Sequence, residues 1–202
     1  MQDSAVETRR AFGLLFICVS IAVGSASVIS EAAYINNLPP YYHAIIWLGS
    51  FGAVFGAGAG KFRKAAPAIR GRMKTSAGWS TGAKALNGVC WAGPFAAIAA
   101  FPSLYQYLIL LGIGLGNLST YLLIKKYSGA DNREQIIVAI ISLVAIPASV
   151  IIDSSLFAAH QDIAVMLSRI LIAIAYAAGG AFALFGKAGP VGFDPTTSGS
   201  LR

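Results

Sequence analysis

Lysine and arginine occupy only alternate connections between six apolar stretches of this chain, and that partition constrains the fold more than any other feature. The stretches cover residues 11–30, 41–60, 85–101, 104–124, 135–152 and 163–186. Most approach the ~20 apolar residues that a helix needs to cross a bilayer's hydrocarbon. Arg9 and Arg10 precede the first. Seven cations (Lys61, Arg63, Lys64, Arg70, Arg72, Lys74 and Lys84) separate the second from the third. Lys125, Lys126 and Arg133 separate the fourth from the fifth, and Lys187 and Arg202 follow the sixth. The other three connections hold none, so fourteen of the fifteen cations fall on one side. Membrane insertion keeps such charge on the cytoplasmic face. An odd number of spans would break the alternation. The expectation is an all-α, polytopic integral membrane protein of the cell membrane. It has six transmembrane helices arranged as three antiparallel hairpins, N-in and C-in.

The overall balance of residues agrees. Charged residues make up 11% of the chain, against about 25% in soluble domains, too few to coat a water-soluble globule. One transmembrane domain is expected over residues 1–186. Residues 187–202, rich in Gly, Pro, Ser and Thr, form a flexible cytoplasmic tail in this reading. The net charge of +7 is accounted for by topology, so no nucleic-acid partner is inferred. Thr8-Arg9-Arg10-Ala11-Phe12 resembles a twin-arginine export signal, but five further spans point to a retained signal anchor.

Arg169, inside the sixth stretch, is the sharpest candidate for function. It follows Asp162 by two helical turns, so both lie on one face. A cation at that depth must pair, snorkel or face water. Asp162, Asp153 and Glu31 are its expected partners. Asn117 follows Gly112-x-Gly114-x-Gly116, a run that would suit an unwound helix coordinating a solute, or alternatively an interhelical hydrogen bond. Arg169, Asn117, Asp153 and Glu31 are therefore the candidate pathway residues. The face without cations also holds His43, His160 and Asp162, which together make a weak metal- or proton-binding set; no metal site is assigned on them.

Gly52, Gly56 and Gly60 are spaced for close helix packing. Residues 61–84 carry seven cations and no acid, a composition suited to anionic lipid headgroups. Lys61, Arg63, Lys64, Arg70, Arg72 and Lys74 are the expected contacts, with an interfacial helix around Phe62, Ala65 and Ile69. Tyr34, Tyr41, Tyr42, Trp47, Tyr105 and Tyr107 read as interfacial anchors.

No HExxH, GxSxG or Asp-Gly-rich signature is present. Cys18 and Cys90 form no CxxC, and no cofactor and no catalytic residue is assigned. The function expected from the sequence is a carrier or channel-like protein for an unidentified small solute or ion. The alternative is a non-catalytic subunit or assembly factor of a larger membrane complex, and a homo-oligomer is compatible with either.

Overall fold

The computed structural model describes residues 2–186, of which residues 2–5 and Thr75 contribute backbone only. The expected tail at 187–202 lies outside the described residues. Among those described every regular element is helical: α1 Gln2–Ile35, α2 Tyr41–Ala57, α3 Ala59–Thr75, α4 Thr81–Ala97, α5 Tyr105–Ser128, α6 Arg133–Ile151 and α7 Gln161–Phe185. A π-helical turn, Ile152–Leu156, extends α6 beyond the intramembrane Pro147.

Among the described residues four helices are long and apolar enough to cross a membrane: Val6–Ile35, Pro102–Ser128, Arg133–Leu156 and Gln161–Phe185. The second expected stretch, 41–60, is cut short. Its helix stops at Ala57, and α3 departs at 84° to it. The third is displaced towards the N-terminus. Ser80 caps α4 by accepting a hydrogen bond from the Ala83 N–H, which starts the helix at Thr81 rather than 85. Residues 98–101 then continue it as turns. Each of α2 and α4 has 17 residues, about 25 Å of helix.

Pairs of touching residues fix the directions of the helices. Arg9 meets Phe182 and Ser20 meets Ala173, so α1 and α7 are antiparallel. Ser80 meets Tyr127, Asn87 meets Thr120 and Trp91 meets Gly116, so α4 and α5 are too. Tyr107 with Asp153 and Gly114 with Leu143 give the same sense for α5 and α6. Val138 with Gly179 and Ser149 with Ser168 give it for α6 and α7. Two ends result. One gathers Glu31, Asp153 and Asp162 and is called the acidic end below. The other gathers Arg9, Arg72 and the start of α6, and is the basic end.

The core lies between α1, α5, α6 and α7, around Phe12, Phe16, Leu110, Val138 and Ile172. Small residues let these backbones approach closely. A Cβ on Gly179 would stand 2.8 Å from the Glu134 carbonyl oxygen, and one on Gly180 would stand 3.0 Å from that of Gly13. Without a hydrophobic drive between helices in lipid, such close van der Waals contact does much of the holding.

The helices α2 and α4 flank this group. No residue of α2 is buried; Ile45, Leu48, Leu86 and Val89 are all more than half exposed. Large apolar area of this kind is stable against acyl chains and costly in water. Gly52, Gly56 and Gly60, expected to pack against a helix, have nothing within 4 Å of where a Cβ would stand. The glycines that do pack tightly are elsewhere, at Gly13, Gly112, Gly114, Gly116, Gly179 and Gly180.

Candidate functional site

At the acidic end, antiparallel α1 and α7 bring Glu31 beside Asp162. Glu31 is 9% exposed, and its Oε1 has no hydrogen-bond partner. Two turns further along α7, Arg169 lies close enough to act electrostatically on Glu31. No carboxylate among the described residues lies within 4 Å of its guanidinium. Instead its Nη2 donates to the Tyr105 hydroxyl at 3.2 Å. The guanidinium carbon lies 5.8 Å from the Tyr105 ring centroid and 6.0 Å from that of Trp47. Arg169 therefore bridges α2, α5 and α7 through aromatic faces and one hydroxyl. Planar, weakly hydrated guanidinium suits such surroundings better than an ammonium.

Asp153 belongs to the same end but is fully engaged. Tyr107 donates its hydroxyl hydrogen to Oδ2 at 2.5 Å, and Gln161 donates to Oδ1. The contrast with Glu31 matters chemically. Two neighbouring carboxyls repel in a low-dielectric setting unless a cation or a proton lies between them. The end thus combines two carboxyls that share a hydrogen bond, Glu31 keeping one unpartnered oxygen, with a guanidinium that is not neutralised by direct contact.

Asn117 does not join this group. It is 2% exposed in the middle of α5, donates to the Ile113 carbonyl and faces Tyr176 of α7. Tyr105, which touches Arg169, stands twelve residues away, about 18 Å along the helix. The helix around Asn117 is continuous from Tyr105 to Ser128, so the unwound segment expected there is not present. The Gly112 and Gly116 backbones instead receive the Phe95 and Trp91 rings of α4. Asn87 of α4 accepts hydrogen bonds from Ser119 at 2.8 Å and Thr120 at 3.0 Å. The polar run in α5 is an interhelical fastener.

Among the described residues no three His, Cys, Asp or Glu side chains converge on a metal-sized site. His43 and His160, considered with Asp162, form no such cluster.

The basic end places six of the seven cations of residues 61–84 in three different settings. Lys61, Arg63 and Lys64 line a concavity of about 400 Å³ at the α2–α3 junction, together with Ala57 and Gly60. Arg70 and Lys74 are exposed further along α3. Arg72, expected among the headgroup contacts, turns inward to Glu134 at 2.7 Å and lies over the Phe12 ring at 4.3 Å. Phe62, Ala65 and Ile69 are half-buried on one side of α3.

Sequence reasoning missed Glu134, and it missed the inward role of Trp47, Tyr105 and Tyr107. Aromatics near span ends read equally well as interfacial anchors, so spacing alone held no signal. Glu134 did hold one: it is an acid in the first turn of an apolar stretch, opposite a connection made only of cations. Comparison with protein families, with curated proteins and with solved structures finds nothing that matches this chain.

Proposed function

We propose that this is a six-span membrane carrier with both termini on the cytoplasmic face, and that it takes a small solute at its acidic end. Four apolar helices of spanning length support the membrane part of this reading. The six-span part adds α2 and α4. Turns at residues 98–101 lengthen α4, and Pro39 and Pro40 precede α2 where a missing N–H costs little. Lipid-compatible exposure of both helices supports their crossing. The alternation of cations supports the orientation.

One observation carries the transport reading. Glu31 is buried with an unpartnered oxygen beside Asp162, while Arg169 is held by aromatic groups rather than by either acid. A purely structural ion pair would close these charges on each other. Charges of both signs kept apart at one mouth suit reversible binding of a small polar solute, and the surplus of carboxylates favours cations.

The test is current on solid-supported membranes. Proteoliposomes are challenged with chloride salts of monovalent and divalent cations, simple amines and amino acids. A current elicited by one of these probes should vanish in Glu31→Gln and fall at least tenfold in Arg169→Ala. Wild-type currents in both variants, or no current with any probe, would remove the assignment.

A further inference from the structure

We propose that the corner between α2 and α3 binds the phosphate of an anionic phospholipid headgroup. Lys61, Arg63 and Lys64 line the concavity there, with the small residues Ala57 and Gly60 as its floor. No acid occurs between Gly58 and Lys84 to neutralise them. The concavity also opens at the first turn of the 17-residue helix α3, where backbone N–H groups and the helix dipole favour an anion.

The corner is built rather than floppy. The Phe55 and Phe62 rings stack across it at 5.0 Å and 17°. Gly58 sits beneath them, and a Cβ there would come within 2.9 Å of the Phe62 ring. The ring stack thus spans the 84° turn over a residue with no side chain. Cations on such a corner keep a fixed separation, so less entropy is lost on binding than from a disordered basic loop.

Position and shape favour a lipid over a free anion. The exposed apolar side chains of α2 require acyl chains around them. The right-angle turn therefore lies where hydrocarbon gives way to headgroups. On the preceding helix α2, the exposed Gly52 and Gly56 have open space where side chains would stand. An acyl chain can lie along that smooth strip while its phosphate reaches Lys61, Arg63 and Lys64. Arg70 and Lys74 contribute only a diffuse field from outside the concavity. Arg72 is committed to Glu134.

Native mass spectrometry of the full chain in detergent, titrated with phosphatidylglycerol or phosphatidylcholine, tests this without any flux measurement. It is therefore independent of the carrier reading. Phosphatidylglycerol should bind the wild type at least tenfold more tightly than phosphatidylcholine. Lys61→Gln/Lys64→Gln should weaken phosphatidylglycerol about 25-fold, from two cations at about a factor of five each. Arg70→Gln/Lys74→Gln removes the same charge and should change affinity by less than threefold. The charge-conserving Lys61→Arg/Lys64→Arg should retain binding, which guards against misfolding as the cause. Gly52→Leu/Gly56→Leu should weaken the lipid yet leave inorganic phosphate without effect on it. Equal losses from the two charge-removing pairs, equal affinity for the two lipids, or displacement of the lipid by millimolar inorganic phosphate would each overturn the proposal.

Discussion

The Arg72 guanidinium and the Glu134 carboxylate meet at 2.7 Å, with side chains only 10% and 2% exposed. Their contact joins α3, which has turned away from α2, to the first turn of α6. Arg72 also covers the Phe12 ring of α1, so one side chain ties three helices. Removing one member of a buried pair strands the other charge, at a cost of about 3–5 kcal/mol. Glu134→Ala should therefore destabilise the protein strongly. Arg72→Leu/Glu134→Leu, which removes both charges, should recover most of that loss. Heating in detergent with a fluorogenic maleimide provides the measurement, because Cys18 is free and buried. A double variant as unstable as the single one would show that the two residues are not coupled.

Glycine substitutions should sort by backbone neighbours and not by sequence motif. At Gly179 a Cβ meets the Val138 side chain, and the Glu134 carbonyl at 2.8 Å. The carbonyl belongs to a helix backbone and cannot move aside cheaply. Gly179→Ala should cost about 1–3 kcal/mol by overpacking. Gly52→Ala meets nothing, and should be neutral or stabilise by up to about 1 kcal/mol through helix propensity. Melting curves of the two single variants decide the matter; a Gly52→Ala loss matching that of Gly179→Ala would mean that α2 is packed after all.

These two cases show what the sequence could and could not carry. Hydropathy reveals a helix wherever one must be satisfied in lipid, so Val6–Ile35, Pro102–Ser128, Arg133–Leu156 and Gln161–Phe185 were all legible as apolar runs. Which face of a helix meets a neighbour is not encoded in that average. Gly52-xxx-Gly56 has the spacing of a packing face and Gly112-x-Gly114 does not, yet the first is open and the second packed. The break at Gly58 was equally hidden. Phe55 stacks on Phe62 across it, a contact from three residues before to four residues after a glycine that hydropathy reads as part of one stretch. At the acidic end, Glu31, Asp162 and Arg169 were legible as an isolated charged group. Their aromatic supports were not, because Trp47 and Tyr105 come from distant positions that only the folded bundle brings to Arg169.

Helix α4 is fastened to α5 largely through Asn87, whose Oδ1 accepts from both Ser119 and Thr120. Thr120 in turn accepts from the Trp91 indole at 3.1 Å. Interhelical hydrogen bonds in membrane proteins average ~0.6 kcal/mol each, so Asn87→Ala should cost about 1 kcal/mol. Its effect should be local. Cys90 lies on the same helix and is half-buried, so its labelling rate should rise before that of Cys18. Simultaneous acceleration of both thiols would indicate global unfolding in place of a loosened α4.

The Arg169 surroundings predict an order of effects. Tyr105→Phe removes the 3.2 Å hydrogen bond but keeps a ring beneath the guanidinium. The loss should stay near 1 kcal/mol. Trp47→Ala removes the aromatic face and the side chain that packs beside Phe51, and should cost more, about 3 kcal/mol. Arg169→Lys should behave as a damaging change, because a compact, strongly hydrated ammonium is a poorer partner for two aromatic rings and a hydroxyl than a planar guanidinium. Thermal melts of the three variants give the ranking, and a Tyr105→Phe loss exceeding that of Trp47→Ala would reverse it.

Opposite ends of the bundle should face opposite sides of the membrane. Lys74 and Ala158 are both exposed; the first lies in the last turn of α3, the helix paired to the start of α6, and the second precedes α7. In a Cys18→Ser/Cys90→Ser background, Lys74→Cys should resist a membrane-impermeant maleimide on intact cells and react once the cells are permeabilised. Ala158→Cys should react at once. The physical basis is the charge partition: moving the cations of residues 61–84 through hydrocarbon is far costlier than moving the weakly charged connection at 152–160. Labelling of Lys74→Cys from outside, or of both positions from the same side, would break the proposed orientation and, with it, the assignment of the acidic end as the outer mouth.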